Sequence, residues 1–172
     1  MSMIINGSGT ITGLTAGGLP DATIVQADLA ANVAGNGPAF SAYLNSNQSI
    51  SASTWTKVQC TIEEFDTNSN YDNATNYRFT PTVAGYYQVS GTVDASASAA
   101  YTQGGVSLYK NGSIFKRGSF ANIGSQSTIS SLIYLNGSTD YVELYAFIAG
   151  TSVAIQSGQA NAFFQAAMIR SA

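Results

Sequence analysis

The sequence predicts an all-β sandwich of short strands preceded by an N-terminal arm. Three observations carry this. From Ala39 onward apolar residues alternate at period two, with no convincing helical stretch. Asn111-Gly112 and Asn136-Gly137 each separate two alternating runs, and Asn-Gly wants the positive φ of a tight hairpin turn. Residues 76–91 read as a strand end, a turn at Pro81, a glycine bend and a new aromatic strand. Pro81 cannot donate to a ladder, and Gly85 can supply an angle that a side chain would resist.

The 172 residues suit one ordinary domain with a short appendage. Residues 1–37 form the arm and 38–172 the head. In the arm, Ile4-Ile5 and Thr10-Ile11-Thr12 read as extended pieces punctuated by glycine. Residues 23–33 can hold one short helix, capped near Asp21 or Thr23. Such a helix is marginal alone. A partner or other copies of the arm must therefore order it. Ile4, Ile11, Leu14, the Leu19-Pro20 pair and Leu29 are its anchoring residues. Residues 34–38 are a linker by composition.

In the head, 39–44 is a short strand and 45–54 a Ser/Asn loop. Residues 55–62 form a strand with Val58 and Cys60 at period two, and 63–76 a long polar loop. Strands at 77–80 and 86–93 follow, with Tyr77 and Phe79 alternating with polar partners. After an Ala/Ser loop comes the hairpin around Asn111-Gly112. Its register pairs Leu108 with Phe115 and Tyr109 with Ile114. The next pair is 128–135 and 140–148, and an aromatic strand ends the chain.

Residues 140–148 are unusual. Val142, Leu144, Ala146 and Ile148 share one face, while Tyr141, Tyr145 and Phe147 share the other with Glu143. A strand with water outside should be polar on that face. The last strand repeats the pattern, with Phe163 opposite Phe164. A symmetric homo-oligomer covers such a face, so Tyr141, Tyr145, Phe147 and Phe163 are the predicted subunit interface. The alternative is that tyrosine rings tolerate partial exposure.

Composition excludes several functions. Only 9% of residues are charged, against about 25% in an average domain, and the net charge is −3. The basic residues show no cluster beyond Lys116-Arg117, so neither nucleic acid nor a membrane is an expected partner. No run approaches a membrane span. Residues 1–10 lack the basic start and apolar run of a signal peptide. The one cysteine, Cys60, reads as a small core residue. There is no histidine, which removes the commonest general base and metal ligand. Glu63, Glu64, Asp66 and Asp72 are the one acidic cluster. It reads as a solvated loop, with calcium binding and paired-carboxylate catalysis as the minor alternatives. No enzyme activity and no cofactor are expected. Tyr71 and Tyr101, in the most polar loops, are the candidates for ligand contact, and Trp55 and Tyr77 weaker ones.

Several motifs then resemble one family. Residues 38–43, Pro-Ala-Phe-Ser-Ala-Tyr, are similar to the opening of complement C-one-q globular heads, which share a ten-strand jelly roll with tumour necrosis factor. Tyr77-Arg-Phe-Thr-Pro followed by Ala84-Gly-Tyr-Tyr-Gln-Val resembles the family's central motif. Val106-Ser-Leu-Tyr-Lys-Asn-Gly and the segment 135–144 resemble its later hairpins. Ser138-Thr139 separate the glycine and aspartate of that last motif, a departure that alters the turn. The resemblance covers about residues 38–170. It implies a jelly-roll head in a compact homotrimer packed through aromatic faces. The arm, Gly7 to Asp21 and then Val25-Gln-Ala-Asp-Leu-Ala, is similar to linkers of bacteriophage tail-fibre and virion proteins. Together these imply a phage virion protein, its arm on other virion proteins and its head exposed. A capsid decoration or head fibre and a tail-fibre tip contacting host glycans are the two roles. A secreted complement-like ligand or lectin is the alternative.

Overall fold

The computed structural model describes residues 35–96, 100–122 and 126–172, together with strands β1 (Ile4–Ile5) and β2 (Ile11–Thr12). The chain divides into two compact units, Met1–Ala31 and Asn32–Ala172. In the first, β1 and β2 pair antiparallel, with Ile5 opposite Ile11. The side chains of Ile4, Ile11 and Tyr101, all of Leu14, Leu19, Pro20 and Leu29, and the expected helix at 23–33 lie outside the described residues.

The second unit is a two-sheet sandwich. One sheet has the order β12-β9-β15-β3-β6, built from β12 (Ser127–Asn136), β9 (Ala84–Val93), β15 (Phe163–Ser171), β3 (Ala39–Tyr43) and β6 (Ile62–Asp66). The other has the order β11-β10-β13-β8-β7. It is built from β11 (Ser113–Asn122), β10 (Ala100–Lys110), β13 (Val142–Thr151), β8 (Arg78–Phe79) and β7 (Tyr71–Asp72). β5 (Thr56–Lys57) also pairs with β13, as the sixth strand of that sheet, and β4 (Gln48–Ser49) pairs with β14 (Ala154–Ile155).

Period two dictates which residues meet between the sheets. Tyr87 and Val89 of β9, Leu108 and Val106 of β10, Leu144 and Ile148 of β13, and Phe164 of β15 are buried together. Phe40 is the hub, stacked on Tyr71 at 4.6 Å and Phe79 at 4.7 Å, with Phe164 edge-on at 5.1 Å. Cys60 is fully buried, and burial pushes its thiol up to about 12.

Four local expectations change. Residues 55–62 are not one strand: pairing stops after Lys57, although Val58 and Cys60 both stay in the core. The polar stretch 63–76 is not all loop, because Ile62–Asp66 pairs with β3 and Tyr71–Asp72 with β8. Tyr77 is a turn residue with φ of 49°, leaving Phe79 as the core residue of its pair. In the Asn111-Gly112 hairpin both turn residues have positive φ and Tyr109 does face Ile114. A bulge then places Leu108 opposite Lys116 rather than Phe115.

Gly85 is needed for a different reason than its φ. A side chain there would come 2.5 Å from the Arg170 carbonyl, so the glycine permits close approach of β9 and β15. Gly137 needs both freedoms: its φ is +71°, and a Cβ would run into the Ala84 amide. Gly137→Ala should therefore lower stability by at least about 1–2 kcal/mol. Gly35→Ala has the same φ problem, at +91°, but a Cβ there meets no atom within 4 Å. In urea denaturation of both variants, Gly137→Ala should show the larger loss.

Candidate assembly interface

The outer face of the five-stranded sheet is built from three cross-strand rows. Phe65, Ser41, Gln165, Ser90 and Ser130 form the first. Ala39, Ala167, Gln88 and Leu132 form the second, and Arg170, Tyr86 and Tyr134 the third. Phe65 is 52% exposed and Leu132 56%, while Tyr86, Tyr134 and Ile169 are also open to solvent. Tyr86 and Tyr134 lie 5.5 Å apart, side by side on β9 and β12. Between the apolar residues runs a polar line. Gln88 donates to Ser130 Oγ at 2.6 Å, Gln165 to Ser90 Oγ at 3.0 Å, and Ser41 to Glu64 at 2.6 Å. A shallow groove opens among Ala39, Phe65, Gln88 and Gln165. In the single chain these apolar side chains stand open to solvent on both sides of the polar line.

Three of the four residues expected at the interface lie on the other sheet. Tyr141, Tyr145 and Phe147 sit on the outer face of the six-stranded sheet and are half-buried within the subunit. The Arg78 guanidinium lies 4.3 Å over the Tyr141 ring. Tyr145 stacks on Tyr109 with centroids 3.7 Å apart. Phe147 packs on Trp55 at 5.6 Å and Phe120 at 5.9 Å. The second apolar face of β13 is thus partly covered by its own chain. Phe163 is the exception. It is opposite Tyr43 and Thr92 on the five-stranded sheet, half-buried beside the exposed face.

Glu143 lies under the tyrosine face. Its side chain is 4% exposed and forms an ion pair with Lys57, whose Nζ also donates to the Asn76 carbonyl at 3.0 Å. Glu143 Oε2 has no hydrogen-bond partner among the described residues. Burial first, and then the Glu143 charge, push the Tyr145 phenol up to about 12.

Tyr71, expected as a possible ligand contact, lies inside the subunit. It is 6% exposed, its face is taken by Phe40, and its hydroxyl donates to the Cys60 carbonyl at 3.0 Å. The acids near it serve the backbone. Asp66 accepts the Tyr71 amide at 2.6 Å. Asp72 accepts the amides of Ala74, Thr75 and Asn76 and the Asn76 side chain. No group of three or more potential ligands close enough to hold a metal occurs among the described residues. These hydrogen bonds, the Thr75 amide foremost, hold Asp72 down to about 2 from an ordinary 3.8. A carboxyl lowered on folding stabilises above its unfolded value and loses that effect as pH falls. Wild-type stability should therefore drop as pH falls from about 3.8 to about 2. Asp72→Asn should show a shallower drop in thermal melts over that window.

No family model matches the chain, and no curated protein is significantly similar to it in sequence. Solved structures do match. Murine APRIL superposes with a TM-score of 0.59 at 11% identity, covering 76% of this chain and 98% of that one. Eiger TNF from S. frugiperda gives 0.53 at 11% identity, covering 78% and 95%. PRD1 vertex protein P5 gives 0.52 at 18% identity, covering 77% and 97%. The head of this chain is a jelly-roll sandwich of the tumour necrosis factor type, a fold that PRD1 vertex protein P5 also carries.

Proposed function

We propose that this chain is a non-enzymatic structural protein of a bacteriophage particle. It assembles as a homotrimer through the outer face of the five-stranded sheet, with its arm on other virion proteins and its head exposed. The observation that carries the reading is the exposed Phe65, Tyr86, Leu132, Tyr134 and Ile169 face on a jelly-roll head. The likeness to PRD1 vertex protein P5 supports a place on a particle, and the low surface charge suits packing against other copies. Capsid decoration or head fibre, and tail-fibre tip with host attachment, are the two positions open to it.

A secreted ligand of the tumour necrosis factor type is the second reading, favoured by the likeness to murine APRIL. Light scattering of the purified chain should give the mass of three subunits. Gold-labelled antibody on phage particles separates the positions: label on the shell assigns decoration, and label on the tail assigns the fibre tip. Particles without label overturn the virion reading.

A further inference from the structure

The two ends of the head differ in charge. β9, β11 and β13 end, and β10, β12 and β15 begin, at one end, and loop 44–54 lies there too, since the Ser53 amide donates to the Ile148 carbonyl. The described residues between those strand ends, 44–54, 94–96, 126 and 149–162, contain Asp94 and no other charged residue. Their polarity comes from Ser, Thr, Asn and Gln. The opposite end carries Arg78, Asp72, Lys110 and Asp140.

An aromatic shelf borders the uncharged end on the six-stranded sheet. Phe120 of β11 is opposite Gly105, and a Cβ on Gly105 would approach its ring to 2.8 Å. The ring therefore lies against the backbone of β10, and Phe120 remains 44% exposed. Trp55 meets it edge-on, with centroids 5.8 Å apart and planes at 90°. Gln103 and Asn122 are opposite each other two residues further towards the uncharged end, and both are exposed. An open aromatic ring beside paired amides, with Arg117 set back towards the other end of β11, is complementary to a polyhydroxylated, uncharged ring with one apolar C–H face.

We propose that Trp55, Phe120, Gln103 and Asn122 form a binding site for a neutral hexose or N-acetylhexosamine unit of a surface polysaccharide. The sugar's C–H face stacks on Phe120, with Trp55 as a side wall. The two amides, each donor and acceptor, bond its hydroxyls. This rests on the reading that the head faces outward from a particle.

Trp55 is the sole tryptophan, so its emission reports on the site directly. The trimer is titrated with neutral gluco-, galacto-, manno- and N-acetylglucosamine oligosaccharides, and with sialylated and sulfated ones, each to about 10 mM. At least one neutral saccharide should shift the emission saturably, with an affinity unchanged by high salt. Phe120→Ala and Gln103→Ala should each weaken it about tenfold or more. Either variant must keep the wild-type circular dichroism and mass. No response to any neutral saccharide, a response confined to anionic ones, or full affinity in Phe120→Ala overturns the site. Loss of trimer mass in Phe120→Ala also overturns it, in favour of a contact between copies. Failure of the sugar titration with particle labelling intact removes this site and leaves the virion reading standing.

Discussion

Leu132→Glu should yield folded monomers where the wild type gives trimers. Leu132 projects from β12 at 56% exposure, so the change costs little in an isolated subunit. In the assembly it places a carboxylate among apolar residues of a neighbour. Burying an unpaired charge is destabilising by roughly 3–5 kcal/mol, and three-fold symmetry repeats the penalty at every contact. Light scattering should fall from three subunits to one, with circular dichroism and cooperative melting retained. Tyr86→Glu should act the same way. Tyr145→Asp separates this from an interface on β13. Its ring is stacked within the subunit, and the new carboxylate would lie on the same face as Glu143. It should lower the stability of the subunit, whereas an interface on β13 would dissociate with the subunit still folded. A trimeric Leu132→Glu would overturn the five-stranded face as the contact.

Alternation was the reliable signal, and what it could not reveal was which neighbour covers a face. The period-two pattern correctly assigned Val142, Leu144, Ala146 and Ile148 to the core. It also recognised that the other face of β13 needed cover. The cover comes from residues remote in sequence, namely Trp55, Arg78, Tyr109 and Phe120. Nothing local in 140–148 specifies them. On β9 the alternation also separates the two tyrosines, since Tyr87 falls in step with Val89 and Val93 and Tyr86 with Gln88 and Ser90. Tyr87 is inside, its hydroxyl donating to the Val83 carbonyl at 2.7 Å, while Tyr86 stands outside next to Tyr134. The burial of Tyr71 was hidden for a related reason. Its flanks are polar, yet Asp66 and Asp72 direct their oxygens to backbone amides and fold the segment back so that the ring meets Phe40. Acid residues in such a loop can be structural capping groups. The Asn-Gly turn was legible because its chemistry is local. The bulge beside it was not, since Leu108 is held by burial between the sheets.

The buried ion pair makes the second large prediction. Lys57→Met should destabilise the subunit by about 3–5 kcal/mol, because it leaves Glu143 charged and without its cation. The side chains are unequally buried, Glu143 at 4% exposed and Lys57 at 29%, so the penalty falls on the acid. Glu143 cannot turn to solvent, since it lies in β13 between β10 and the β5 segment. Adding Glu143→Leu to Lys57→Met should recover most of the loss, because an apolar pair of similar volume often matches or exceeds a buried ion pair in stability. Urea denaturation at fixed subunit concentration measures both, since a trimer's stability depends on concentration. Equal stability of Lys57→Met and wild type would mean that the ion pair does not hold this face together. The double variant also tests what the pair is for. Lys57 Nζ links Glu143 of β13 to the Asn76 carbonyl in the turn before β8, and so ties together three segments joined by few ladder bonds. If that link fixes the placement of β5, the double variant should regain stability while Trp55 emission still differs from wild type, because Trp55 directly precedes β5.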